Sequence, residues 1–400
     1  MKNKKAYFIV WIVTFIASCL FIYYGNQYVS EDLHLFESYD EKAIKGVVTG
    51  IIDTYEEESF GYDGNDTSVT VLFTCRLLEG KHKGEVVDAT QMIEPSQKNH
   101  LKIVEPQDKI LLYRFAYDDE ATWHFTNYIR SNQVIVLALV FLALVLLIGR
   151  TKGVNTIVSL AMTCMSVFLI FVPSVLNGYN VYLSSIIICS FTIISTLLFV
   201  NGICKKSIAT MIGCIAGVII AAVSTGIMSK VLNLTGMVDE ESYYLTLIES
   251  KNPIDIKAIV FGCIIIGALG AIMDIAMDIA SSLYEIKKHA RDITFTSMLR
   301  SGMEIGRDVI GTMSNTLVLA YIGSSLSSIL LLMTYSSSLF ELINKEVVIV
   351  DLLQAFIGSL AILLTIPITA FVCALLYTSG YTGDYDKKED SSNDFDVFWN

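Results

Sequence analysis

The chain has 400 residues, 53% of them hydrophobic and 17% charged, with a mean hydropathy of +0.57. That balance excludes an ordinary soluble domain and points to an integral membrane protein. The formal charge of −12 at pH 7 falls mostly outside the apolar runs, within about 31–120, around 239–256 and after 384, so the acidity belongs to soluble parts and argues against nucleic acid as a partner.

In chain order, Met1-Lys2-Asn3-Lys4-Lys5 precedes an apolar run from Ala6 to Tyr24. This is the pattern of a signal sequence or of a first transmembrane helix with a cytoplasmic N-terminus. Ile16-Ala17-Ser18-Cys19 resembles a lipoprotein cleavage box, but the apolar run continues through Tyr24 where a lipoprotein would turn polar. An uncleaved helix over 1–25 is therefore expected. The eight cysteines form no CxxC pair and the five histidines no HExxH, so neither a disulfide framework nor a zinc site is expected, and no cofactor is assigned.

From about 40 to 128 the pattern changes to short β-rich runs: Lys45 to Ile52, Ser68 to Leu77, Gly84 to Thr90 and Lys109 to Tyr113. Turn-forming stretches, Gly61 to Asp66 and Gly80 to Gly84, separate them. They predict an extracytoplasmic β-rich domain over 26–130, an OB-like barrel or sandwich of about five strands, with partner docking as its simplest role.

Seven further apolar runs follow, at about 132–149, 154–175, 181–203, 207–231, 257–281, 308–334 and 351–377. Each reaches the roughly 20 residues a spanning helix needs. The expected fold is an α-helical polytopic membrane protein of about 8 transmembrane helices, with the β-rich domain between the first two and a seven-helix transmembrane domain over 131–377. Arg150 with Lys152, Lys205 with Lys206, and Lys287, Lys288, Arg291 and Arg300 then share the side of the N-terminal lysines, which makes both termini cytoplasmic. The acidic tail, 378–400, is expected to be a disordered cytoplasmic segment. The loop near Asp239-Glu240-Glu241 is read either as a short amphipathic helix or as a solvated connector.

Two stretches carry chemistry. Gly267, Gly270, Asp274, Asp278, Ser281 and Glu285 share one helical stripe, while Ile272, Ile275, Ala276, Ile279 and Leu283 cover much of the remainder. An ionised Asp at membrane depth costs at least about 2.5 kcal/mol, so the stripe is expected to face protein or water. In the next run Glu304, Asp308, Gly311 or Thr312, and Asn315 form a second polar stripe. If the two helices are antiparallel neighbours, Asp274 meets Asn315 and Asp278 meets Asp308 or Thr312, with Gly267, Gly270, Gly306 and Gly311 permitting close backbone approach. Arg307 reads equally as an interfacial cation or as a counter-ion for Asp308, Asp274 or an anionic substrate. Met273 and Met277 sit just off the stripe and are read as packing.

The motif Gly267-Ala-Leu-Gly-Ala-Ile-Met-Asp274-Ile-Ala-Met-Asp278-Ile-Ala-Ser-Ser, followed by Gly306-Arg-Asp308-Val-Ile-Gly-Thr312-Met-Ser-Asn315-Thr-Leu-Val-Leu-Ala-Tyr321-Ile-Gly323, resembles the bacterial YibE/F-like multi-pass membrane family. The resemblance covers about 40–378 and implies a bacterial plasma-membrane location without implying a chemistry.

The expected function is a secondary transporter or exporter whose carboxylates bind a proton or cation. Carboxylates that share a site cannot all stay ionised, which links proton uptake to occupancy. The oxygen-rich set Asp274, Asp278, Asp308, Thr312 and Asn315 suits a hard cation, with the three aspartates as the ligands of any metal. The alternative is a membrane scaffold or sensor that binds a protein partner through the outer β-domain. An intramembrane aspartyl protease is disfavoured because Asp274 follows Ile-Met and Asp308 follows Gly-Arg, not Gly-x-Gly and Tyr, and a P-loop is absent. No enzymatic activity is assigned. The expected partners are the bilayer, a small ion or molecule, a protein at the β-domain, and further copies of the chain.

Overall fold

The computed structural model describes residues 2–31, 43–58, 67–98, 100–114, 122–248, 252–290 and 292–378. The predicted turn at Gly61 and the acidic tail lie outside the described residues. The chain divides into two compact units, His34–Leu144 and the combination of Met1–Leu33 with Val145–Asn400.

The smaller unit is a closed β-barrel with strand order β1-β2-β3-β5-β4. Its strands are β1 (Ile44–Glu58), β2 (Thr67–Leu77), β3 (Val86–Ile93), β4 (Lys109–Arg114) and β5 (Trp123–Tyr128). β3 and β5 run parallel, and every other pair is antiparallel. Alternation builds the core: Val69, Val71, Phe73, Cys75 and Leu77, every second residue of β2, are all buried because successive strand side chains point to opposite faces. Across the barrel they meet Ala89, Ile110, Leu112 and Trp123. Two register shifts, at Thr49 and Ile52, let the 15-residue β1 pair with both β2 and β4, since bulges bend a strand enough to close a barrel. Gln91 is buried and bonded through both ends of its amide: its Nε2 donates to the Lys102 carbonyl (3.0 Å) and its Oε1 accepts from the Val104 N–H (2.9 Å).

Among the described residues, seven helices are long and apolar enough to cross a bilayer. They account for all eight apolar runs, because 132–149 and 154–175 fall within one stretch, Ser131–Leu176. That stretch comprises α2 (Ser131–Ser166), a π-helical turn over Val167–Phe171, and α3 (Val172–Leu176). At about 69 Å if straight it is too long for one crossing, and it breaks at Arg150, whose φ of 47° and ψ of −125° are non-helical.

The remaining elements of the larger unit are α1 (Lys2–Val29), α4 (Val181–Asn201), α5 (Lys205–Val231), α6 (Glu240–Thr246), α7 (Ile256–His289), α8 (Phe295–Tyr335), α9 (Leu339–Ile343) and α10 (Glu346–Thr378). The acidic loop thus does contain a short helix, α6, started by the Asp239 carboxylate accepting from the Ser242 N–H. Helices α7 and α10 form the centre, with α4, α5 and α8 around them. Close approach of α5 to α10 comes from Gly213 and Gly217, four residues apart, where a Cβ would run into Thr369 and Thr365. Small residues at this spacing let two apolar helices pack backbone to backbone. On the other flank α1 is tied by polar contacts: Tyr7 Oη donates to the Phe199 carbonyl (3.0 Å), and Trp11 Nε1 donates to Asn155 Oδ1 (3.1 Å).

Candidate functional site on helices α7 and α8

Helix α7 is amphipathic, with its apolar side turned inward and its carboxylates on the open side. Ile272, Ile275, Ala276, Ile279 and Leu283 are fully buried and form the interface with α5, α8 and α10. Gly267, Gly270, Asp274, Asp278 and Glu285 are exposed, with Ser281 half-buried beside them. The apolar residues of α7 hold the bundle together, and its polar stripe lies on the surface of this unit. Met273 and Met277 pack against the core as expected, and Met277 Sδ accepts from Asn201 Nδ2 at 3.5 Å.

The two helices are antiparallel neighbours in contact. A Cβ at Gly267 would lie 2.7 Å from Tyr321 Oη, and one at Gly302 would lie 2.9 Å from Leu283 Cδ1. This register sets Asp274 level with Gly311 and Thr312 and Asp278 level with Arg307 and Asp308, about one turn from the expected pairing of Asp274 with Asn315. The levels match, but the side chains do not converge. Gly302 and Gly306 face α10, against Ala370 and Ile366. Asp308, two residues beyond Gly306 and so about 200° further round the helix, is exposed together with Arg307, Thr312 and Asn315.

Of the four glycines expected to let α7 and α8 approach, only Gly267 touches the other helix, while Gly306 serves α10 and a Cβ at Gly270 or Gly311 would meet nothing within 4 Å. Thr312 Oγ1 donates to its own helix, to the Val309 carbonyl at 2.9 Å. The expected hydrogen bonds between the stripes are not among those the described residues form. Nor, among the described residues, do three His, Cys, Asp or Glu side chains gather to hold a metal ion.

Asp274 and Asp278 therefore form a pair on their own helix, their Cβ atoms about 5–6 Å apart as residues four apart on one face must be. Lys287 and Lys288 mark the nearby end of α7. From Lys287, Asp278 lies about 14 Å and Asp274 about 20 Å back along the axis. Such a pair can take up a proton or, with water, a hard cation.

Two features were not read from the sequence. Gly302 lies against both Leu283 of α7 and Ala370 of α10, and its spacing of four from Gly306 was a visible signal. A cavity of about 290 Å³, lined by Tyr182, Ser229, Lys230, Lys257 and Phe261 among others, draws on three helices remote in sequence and had no such signal.

Comparison with known protein families shows that residues 137–379 fit the family described as YibE/F-like protein. The chain belongs to the YibE/F-like family. The matched segment contains the whole of α7, α8 and α10, so the exposed carboxylate pair lies inside the part of this YibE/F-like protein that defines the family. No curated protein and no solved structure matches the chain.

Proposed function

We propose that this YibE/F-like protein is a multi-pass protein of the bacterial plasma membrane that moves a proton or small cation along the polar faces of α7 and α8. The single observation carrying the reading is the pair Asp274 and Asp278, one turn apart on an open face of a helix apolar and long enough to span a bilayer. Intramembrane carboxylates are expensive and are kept where they do work. Lys287 and Lys288 end α7, and Lys205 and Lys206 begin α5. The positive-inside rule then assigns these ends and both termini to the cytoplasm, with the OB-like barrel and α6 outside. The contacts of α1 with Phe199 and Asn155 favour its retention as an uncleaved span.

The test uses the purified protein in proteoliposomes loaded with a pH-sensitive dye, under an imposed pH gradient, with pulses of Na⁺, K⁺, Mg²⁺ or Ca²⁺. A cation-dependent pH change in the wild type, lost in Asp274→Asn and Asp278→Asn at equal incorporation, is the expected result. A wild type silent to all four cations and to the gradient itself, or variants that respond like it, would sink the reading. The scaffold alternative draws on the apolar residues the barrel leaves exposed, Ile51, Ile52 and Met92. It predicts that both Asn variants stay active in the cell and that removal of the barrel does not.

A further inference from the structure

We propose that the polar faces of α7 and α8 are closed by a second copy of this chain, related by a two-fold axis along the membrane normal, so that the carboxylate pair lines a seam between two protomers. The inference rests on the membrane reading above and deepens it. In a single copy Asp274, Asp278, Arg307, Asp308, Thr312 and Asn315 are all exposed on helices of spanning length, where lipid would otherwise face them. Among the described residues neither Arg300 nor Arg307 forms an ion pair, and neither do Asp274, Asp278 or Asp308.

Among the described residues there is no better cover. The other faces of α7 are taken by α4, α5, α8 and α10. The apolar segment 134–149 has no polar side chain between Gln133 and Arg150, so it offers a carboxylate nothing but hydrocarbon.

A second copy does offer partners, and the register supplies them at the right height. Within one chain Leu283 lies level with Gly302 on the antiparallel α8. A two-fold axis along the membrane normal preserves depth, so α7 of one protomer meets α8 of the other at the same levels. Counting from that anchor, Asp278 falls level with Arg307 of the second copy and Glu285 with Arg300. The acidic residues are seven apart and the arginines are seven apart, two turns in each case, so each pair keeps to one side of its helix. Asp274 comes level with Gly311, next to Thr312. The surface is thus self-complementary in charge, as an isologous contact requires: acid on α7 against arginine on α8, twice over.

The experiment co-expresses two differently tagged full-length chains and measures co-purification from mild-detergent extracts, with stepwise photobleaching of labelled protein in vesicles as the readout in a bilayer. Wild-type copies should co-purify and bleach in two steps. Asp278→Arg expressed alone, and Arg307→Asp expressed alone, should each lose at least tenfold in self-association. An Asp278→Arg chain paired with an Arg307→Asp chain should recover it. In that mixture positions 278 and 307 carry like charges within each chain and opposite charges across the two, so recovery identifies contact between chains. The milder Asp278→Asn and Arg307→Gln should give the same loss to a smaller degree if the reversals fail to insert.

A wild type that bleaches in one step, a dimer indifferent to both reversals, or a mixture that fails to recover would overturn the inference. Release of the chain by alkaline extraction would remove it together with the membrane reading. A wild-type dimer that moves no ion would uphold this interface while ending the transport reading.

Discussion

Gly302 of α8 touches both α7 and α10, and adding one methyl there gives a calculable perturbation. The Cβ of Gly302→Ala would sit 2.7 Å from the Ala370 Cβ, 2.9 Å from Leu283 Cδ1 and 3.3 Å from the Ala370 Cα. Carbon atoms rest at about 3.5–4.0 Å, so α10 or the fully buried Leu283 must retreat by about 1 Å. Overpacking of this kind costs about 1–3 kcal/mol, and the better helix propensity of Ala returns about 1 kcal/mol. The net loss centres near 1 kcal/mol, worth about 2–4 °C in melting temperature for a unit of this size.

The partner substitution isolates the contact. Ala370→Gly removes the methyl that is struck, so the double variant Gly302→Ala/Ala370→Gly should recover at least about 1 kcal/mol relative to the sum of the single changes. Thermal unfolding in detergent, followed by fluorescence-detected size exclusion, measures the cycle. An interaction energy below about 0.5 kcal/mol, the scatter expected of independent sites, would refute the packing described for α8 on α10.

Other regions give equally direct expectations. Burial pushes the Cys75 thiol of the barrel up to about 11, from an ordinary 9.0, so it should resist iodoacetamide at pH 8 until the barrel is denatured. Because that value is raised in the fold, its contribution to stability is complete below pH 9 and lost as pH rises through 11; an identical alkaline profile in Cys75→Ala would contradict this. Glu346 accepts from the Thr235 N–H, the Thr235 hydroxyl and the Gly236 N–H, each at 2.7 Å. Bonds to a charged acceptor contribute about 1.5–3 kcal/mol each, so Glu346→Ala should speed amide exchange at 235–236 at least tenfold, and unchanged exchange would rule out the clamp. Arg150 holds a φ of 47°, a conformation glycine adopts freely, so Arg150→Gly should raise the melting temperature by relieving about 1 kcal/mol of strain; a lower value would show that the arginine side chain matters more than its backbone.

The strands and helices were legible because their periods are local. Val69 to Leu77 alternates and reads as a half-buried strand, and each apolar run of spanning length became helix. The inward face of α7 was not legible by the same means. In water, burial selects the apolar side of a helix. In a bilayer both lipid and core are apolar, so Ile272 and Ile279 carried no directional information, and the carboxylates were assigned inward on the cost of exposing them to lipid. The orientation was instead encoded in small residues on other helices: Gly213 and Gly217 against Thr369 and Thr365, and Gly302 and Gly306 against Ala370 and Ile366. These fix α5 and α8 on α10, and α7 fills the space left with its isoleucines. The fifth strand, Trp123–Tyr128, was missed because Trp-His-Phe-Thr-Asn-Tyr alternates only weakly.

This division of labour decides how the carboxylates can be interrogated. The packing of α7 uses Ile272, Ile275, Ala276, Ile279 and Leu283, whereas Asp274 and Asp278 are exposed. Their replacement by Asn therefore leaves the interior of a single copy untouched, and the melting temperature of a dissociated protomer should not change. Any loss of ion movement in those variants then reports on the polar face itself. Had the aspartates been buried between helices, as the cost of a charge in lipid first suggested, the same variants would have confounded folding with function. Leu283→Ala is the matched control: it removes a fully buried side chain next to Gly302, should cost about 2–5 kcal/mol, and leaves every acidic group in place. Flux per folded molecule should survive Leu283→Ala and vanish with Asp274→Asn. The reverse pattern would mean that the stripe is passive and that the apolar core of α7 is what the protein's activity depends on.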